Sequence, residues 1–402
     1  MDDRRYYGLD ALRGGMMILG IVLHGATFYL AAPPAAMPFP ADRNHAYVFD
    51  LLFHFIHSFR MPTFFLLAGF FTALLVEKRG LSGTYKNRAA RVVAPMLVAA
   101  LTVLPLTGLF GAAFMLSVRF GTHTLWPDLV KLRVLAQEMR EAGVPLDQTA
   151  LGHLWFLYYL CYFYLLIPLC RWLVRCTQPV EHRIRKLLAS PLSLLLLALY
   201  TAATLWPFRG GQVHEGFIFL KPHLPSLIYY GSFFVFGYGL HHHRDFMQRF
   251  TRYLRWSAGA ALLLFPLSLY LSHVENTAAT PAISNHLAAV LAHALCTWAL
   301  LVFVIGSALR FLDRPSPWIL YTSQSSYWVF LWHLPVISLA AWWMVQFDLP
   351  AEIKFLCVTS FTAMVCFASY HYWVQRTWLS VFLNGRRFDM DWPWVDNAEP
   401  EK

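Results

Sequence analysis

Residues 9–32, LDALRGGMMILGIVLHGATFYLAA, constrain the fold more than any other stretch of the chain. They are long enough to cross a ~30 Å hydrocarbon layer as a helix, yet they hold Arg13 near one end and His24 in the far half. Eleven steps at 1.5 Å separate the two backbones by roughly 16 Å along a helix axis. Arg13 then sits near one membrane face and His24 well inside. An ionisable side chain at that depth costs about 3 kcal/mol or more against lipid, so it faces protein or a water-lined cavity. His24 is thus either a working residue or a histidine hydrogen-bonded between packed helices.

Length alone, 402 residues, would suggest two or three soluble domains. Composition overrules that: 58% hydrophobic residues against 13% charged leave too few charges to cover a globular surface. The expected class is an all-α, polytopic integral membrane protein. A net charge of +10 raises nucleic acid as a partner, but the Lys and Arg lie in short clusters between apolar runs, a placement that fits orientation in a lipid bilayer. The six cysteines form no CxxC pair and crowd no loop, so neither a disulfide framework nor a zinc site is indicated. The first apolar stretch lacks a clear small-residue cleavage site and is read as a retained helix.

Apolar runs of about twenty residues give about ten transmembrane helices, at 9–32, 47–76, 92–118, 152–175, 190–207, 224–241, 254–272, 286–310, 318–346 and 352–376. Alternate connections are basic. Arg4 and Arg5, the run from Lys78 to Arg91, the cluster from Arg171 to Lys186, Arg244 to Arg255, Arg310 and Arg314, and Arg376 with Arg386 and Arg387 fall on one side. Both termini are therefore expected in the cytoplasm, with His24 nearer the outer face. Segment 119–150 is long enough for a short amphipathic helix around 129–141, and its Asp147 helps to balance its basic residues. A transmembrane domain at 1–380 followed by a cytoplasmic tail at 381–402 is expected, its acidic end from Asp389 to Lys402 poorly ordered.

The second span reads HFIHSFRMPTFF, so His54, His57 and Arg60 recur every three residues along one helix face. Counted from Lys78, Arg60 lies ~27 Å from the cytoplasmic end, at or beyond the level of His24. It either snorkels to headgroups or holds an anionic group. Pro62 permits a kink and Gly69 a close helix approach. In KNRAARVVAP, Arg88 and Arg91 share a face; they either fix topology or bind phosphates together with Arg13. GHLWFLYYL places His153 and Trp155 at the outer interface, and SSYWVFLWHLP places His333 near mid-membrane as a candidate cavity-lining residue. The run His241 to His243 lacks a second ligand cluster and reads as an anchor at a helix end, with no metal site expected.

Taken together, LDALRG with His24, FRMPTFFLLAGFF, KNRAARVVAP, HLWFL and SYWVFLWHLP resemble the signature of the membrane acyltransferase-3 family over residues 9–378. Within it, the opening and the compact length most resemble the inner-membrane enzymes that add succinyl groups to osmoregulated periplasmic glucans of Gram-negative bacteria. The resemblance implies an acyl-CoA donor, most simply succinyl-CoA, used as a substrate with no permanently bound cofactor. It also implies a periplasmic glucan acceptor and, as further partners, other membrane proteins of glucan synthesis.

Coenzyme A has phosphates at one end and a pantetheine arm whose reach is comparable with the roughly 16 Å between Arg13 and His24. Phosphates held at Arg13, Arg88 and Arg91 would bring the thioester to His24, which acts either as a general base or as an acyl acceptor. Arg60 would meet the succinyl carboxylate. Outer aromatics such as Trp155, Tyr158 and Trp206 would stack on sugar rings. The rival readings are a secondary transporter or flippase of an anionic or glycan substrate, and a structural scaffold in a glucan-export complex.

Overall fold

The computed structural model describes residues 6–33, 41–141, 151–177, 192–213, 222–278, 282–389 and 391–393, with isolated positions between them. Arg4, Arg5, Asp147, Arg183, Arg185 and residues 394–402 lie outside the described residues. Among those described the regular structure is helical throughout. The helices are α1 (Tyr7–Ala26), α2 (Tyr47–Arg88), α3 (Ala94–Phe120), α4 (Leu129–Glu141), α5 (Trp155–Leu165), α6 (Ile167–Thr177) and α7 (Leu192–Leu205). They continue as α8 (Leu224–His242), α9 (Arg244–Arg252), α10 (Leu254–Thr277), α11 (Ile283–Phe311), α12 (Pro317–Met344), α13 (Ala351–Ser369) and α14 (Trp378–Asn384). The protein is a multi-pass, all-α membrane protein.

All ten expected segments are helical, but six helical runs are long and apolar enough to cross a bilayer, or seven if the bent pair α5–α6 is one span. One of the six, Tyr47–Phe120, contains the second and third expected segments. Gly80 breaks it with φ 66°, a left-handed conformation that an L side chain resists. The fifth segment, α7, has 14 residues; at 1.5 Å each it is about 21 Å long, short of the hydrocarbon thickness. The fourth bends by 51° between α5 and α6. Pro168 explains that bend, since it cannot donate to the carbonyl of Tyr164 and its ring crowds that turn. The amphipathic helix expected at 129–141 is α4, whose first turn is capped by Asp128 Oδ1 accepting from Val130 N at 2.8 Å.

Two glycines let α2 and α8 approach backbone to backbone. A Cβ on Gly69 would collide with the carbonyl of Phe234, and one on Gly237 with that of Leu66. Without a hydrophobic drive between helices in lipid, this small-residue packing brings the helices together. His241, at the end of α8, meets Glu77 of α2 at 2.7 Å, which fits the anchor reading of the histidine run.

Around the axis, α1 and α12 run one way, and α2 and α5 run against them. Arg13 reaches Ser323, and the rings of His24 and His333 adjoin. Tyr6 meets Phe70 at the other end of α1. The four helices therefore enclose two levels, set by Arg13 and His24. On the His24 side, Lys354 of α13 is buried with Asp42, at 2.8 and 2.9 Å from its two carboxylate oxygens. Lys354 also donates to Asn44 Oδ1 at 3.1 Å, so the loop after α1 is fastened to α13.

The expected boundary at 380/381 falls inside α14, and residues after it pack on the helices. Leu383 is buried, and Trp392 stacks on His371 with ring centroids 3.9 Å apart.

Candidate active site

Three histidines, from α1, α12 and the 3-10 turn Gly152–Leu154 just before α5, meet on one level. The ring of His333 lies 5.2 Å from that of His24 and 5.3 Å from that of His153. His57 and Arg60 of α2 are within electrostatic range of His24. Their hydrogen bonds fix two of the tautomers. His333 Nδ1 faces the carbonyls of Val329 (3.0 Å) and Phe330 (2.8 Å). Carbonyls only accept, so this nitrogen carries the proton and Nε2 carries a lone pair. That Nε2 is buried and has no partner among the described residues. By the same argument His153 Nε2–H donates to Leu331 O at 3.1 Å, and its buried Nδ1 keeps a lone pair. His24 and His57 retain some exposed surface, whereas His153 and His333 are buried.

Arg60 is 5% exposed and, among the described residues, has no carboxylate partner. Its Nε donates to Met16 O at 2.9 Å, its Nη1 approaches Met61 Sδ, and its guanidinium lies over the Phe64 ring at 5.4 Å. The slot exists because residue 20 is glycine, whose missing Cβ would occupy the place of Arg60 Nη2. The guanidinium thus sits one turn nearer Arg13 than His24 does, and not at or beyond its level. Counting from Lys78 overstated the depth because α2 runs on to Gly80 and Lys78 is exposed.

The Arg13 level holds a cavity of about 420 Å³. Arg13, Arg88 and Arg91 all line it, together with Arg386, and no carboxylate does so among the described residues. Arg13 is set by Ser323 Oγ at 2.6 Å and by Asp10 at 3.5 Å. Arg88 lies over the Tyr164 ring at 5.2 Å. The arginine pair sits beside a widened turn, Ala89–Val93. Pro95 cannot donate to the carbonyl of Arg91, and the helix accommodates this with one i to i+5 turn. Three buried polar atoms of cavity residues lack partners among the described residues: Arg88 Nε, Gln324 Oε1 and Tyr327 Oη. Buried polar atoms are normally satisfied, so this set marks a place for a polar ligand.

The model of an acyltransferase domain, that of the acyltransferase-3 family, matches residues 6–371. The chain belongs to the acyltransferase-3 family. It is similar to glucans biosynthesis protein C of Salmonella typhi, 25% identical over 398 residues that make up 95% of each chain. The protein of the same name from Escherichia coli strain K12 is 32% identical over 176 residues, 43% of this chain and 40% of the relative. No solved structure matches significantly.

In this acyltransferase the basic cavity and the histidine cluster are neighbours but not one chamber. Phe64 and Phe156 line the cavity with ring centroids 5.3 Å apart, and Phe330 lies 5.8 Å from Phe156 and 5.2 Å from His153. Among the described residues, none of the histidines and not Arg60 lines the cavity. His54 stands apart, hydrogen-bonded to Gln212 and facing Asp50. Trp155 is not an interfacial ring. It is packed in the core against Tyr159 and Tyr230, both at 5.4 Å, and against Phe65, because α5 tucks beneath α8 at that point. Tyr158 is half-buried and pairs with Tyr162 at 2.9 Å, while Trp206 is exposed beside His286. Sequence reasoning did not select Ser323, Gln324, Tyr327, Tyr164 or Arg386 for the site. Of these only Tyr327 carried a signal, one helical turn and a half before His333 in the same motif.

Proposed function

We propose that this acyltransferase moves an acyl group, in the first instance succinyl, from cytoplasmic acyl-CoA to a hydroxyl of a periplasmic glucan, in the inner membrane of a Gram-negative bacterium with both termini cytoplasmic. The observation that carries the reading is the cavity lined, among the described residues, by four arginines and no carboxylate, one level below the histidines on the same pair of helices. Guanidiniums meet phosphate oxygens with paired hydrogen bonds, and Arg13, Arg88 and Arg91 would hold the phosphates of the donor. The name of the relatives supplies the acceptor class.

In this reading the rings of Phe64 and Phe156 part to admit the pantetheine arm, and the thioester reaches His24. The sugar hydroxyl oxygen attacks the thioester carbonyl carbon, the C–S bond breaks and an ester C–O bond forms. His24 takes the hydroxyl proton and returns it to the departing thiolate. The His333 ring, 5.2 Å from that of His24, keeps a lone pair on Nε2; a shift that let it accept the proton of one His24 nitrogen would leave the other free for the substrate, which favours the general-base role over an acyl-histidine. His153 and His57 border the acceptor hydroxyl, and Arg60 meets the succinyl carboxylate or the developing oxyanion.

The test uses full-length protein in vesicles with succinyl-CoA sealed on one side and linear glucan on the other, read by mass spectrometry. Succinylated glucan is expected from the wild type and none from His24→Ala present at the same level in the membrane. Transfer retained in His24→Ala would overturn the assignment. Glucan crossing the membrane with the thioester intact would make the protein a transporter.

A further inference from the structure

Part of the wall of the basic cavity is built by the C-terminal segment. Leu383, Asn384, Arg386 and Phe388 line the cavity, all from α14 and the four residues after it. The segment is tied down along its length. Arg91 Nη1 donates to Val381 O and, at 2.8 Å, to Phe382 O, two carbonyls of the last turn of α14, the first of which also accepts from Gly385 N at 3.0 Å. Asn384 Nδ2 donates to Gln324 O at 3.2 Å, and Ser380 Oγ donates to Arg386 O at 2.8 Å. Gly385, with φ 92°, turns the chain back along the cavity in a conformation that favours glycine, against the guanidinium of Arg91. Farther on, Arg376 pairs with Asp389 at 2.9 Å and Asp391 at 3.4 Å.

Arg386 differs from Arg376. It is exposed and, among the described residues, has no carboxylate partner; its guanidinium lies 4.9 Å from the ring of Phe388, at the mouth of a cavity that already holds three arginines. Four cations line about 420 Å³ and, among the described residues, no carboxylate lines it; Asp10 offsets Arg13 from outside the lining, and a ligand bearing several negative charges relieves the repulsion that remains.

We propose that Arg386 is a phosphate-binding residue of the donor site and that the segment 378–388 is the wall that holds the donor in place. The inference rests on the donor reading above and extends it to residues beyond the 6–371 matched by the family. The mouth-side guanidinium contacts the outermost phosphate, while Arg13, Arg88 and Arg91 serve those deeper in.

Binding of CoA and of phosphate-free pantetheine to purified full-length protein tests it, using wild type, Arg386→Gln and Arg386→Lys. A charge-assisted contact of this kind is worth about tenfold or more in affinity. Arg386→Gln should lose that factor for CoA and nothing for pantetheine, and Arg386→Lys should recover part of it. Equal CoA affinity in wild type and Arg386→Gln, alongside a loss in Arg88→Gln, would overturn the proposal and leave the donor reading standing. A parallel loss for pantetheine would mean that the wall has collapsed, which also overturns a phosphate contact. A wild type that binds no CoA would remove the donor reading and this inference together.

Discussion

Arg60 is held from three sides by the Met16 carbonyl, the Phe64 ring and the empty place where residue 20 would carry a Cβ. Its position can therefore be disturbed without touching its charge. In Gly20→Ala the new methyl meets Nη2, and the guanidinium must swing out of line. A misplacement of about 1 Å near reacting atoms costs on the order of 100-fold, so kcat/KM for succinyl transfer should fall about as far as in Arg60→Ala. Steady-state assays of both variants check this. If Arg60 meets the donor carboxylate, Arg60→Ala should also lose succinyl transfer more severely than acetyl transfer; equal losses would point to the oxyanion. At this scale the sequence was readable where an ionisable group interrupts an apolar run, as at Arg13, His24 and Arg60. It was silent where the group is ordinary in a membrane helix. Ser323 and Gln324 look like any polar residues of a span until the fold turns them toward four arginines.

Between elements, the contact of α2 with α8 depends on Gly69 and Gly237 lying against opposing backbone carbonyls. Because a carbonyl cannot rotate aside as a side chain can, Gly237→Ala should force the helices apart. Overpacking of this kind costs about 1–3 kcal/mol, read as a lower unfolding temperature in detergent than that of Gly239→Ala, whose Cβ has open space. Gly69 was legible as a packing residue, and α4 emerged at its expected place. The bend at Leu166 and the shortness of α7 were not evident, because apolarity reports that a segment avoids water but not whether its axis is straight or reaches both faces. Trp155 was misplaced for a related reason: an aromatic at a span edge belongs to an interface belt or to the core according to which helix covers it, and α8 covers it.

For the whole molecule, the buried pair of Lys354 and Asp42 joins the loop after the first helix to the last long span. Removing one member strands the other charge, so Lys354→Met should cost about 3–5 kcal/mol of stability, and adding Asp42→Asn should restore much of it. Unfolding of the two single variants and the double variant in detergent measures the coupling. No local pattern could have announced a contact between residues 312 positions apart. The same holds for the two-level plan, which arises only when α1 and α12 lie parallel and α5 brings His153 down between them. That plan has a physiological corollary in the three phenylalanines, Phe64, Phe156 and Phe330. An energised bilayer stores a proton gradient, and a protein that works as proposed above, admitting substrates from both faces toward a cluster of imidazoles, would risk short-circuiting it. On that reading the rings would act as an electrical insulator between the two sides. Trimming Phe156 to alanine should make proteoliposomes leak an imposed pH difference, reported by an entrapped dye, even with no substrate added.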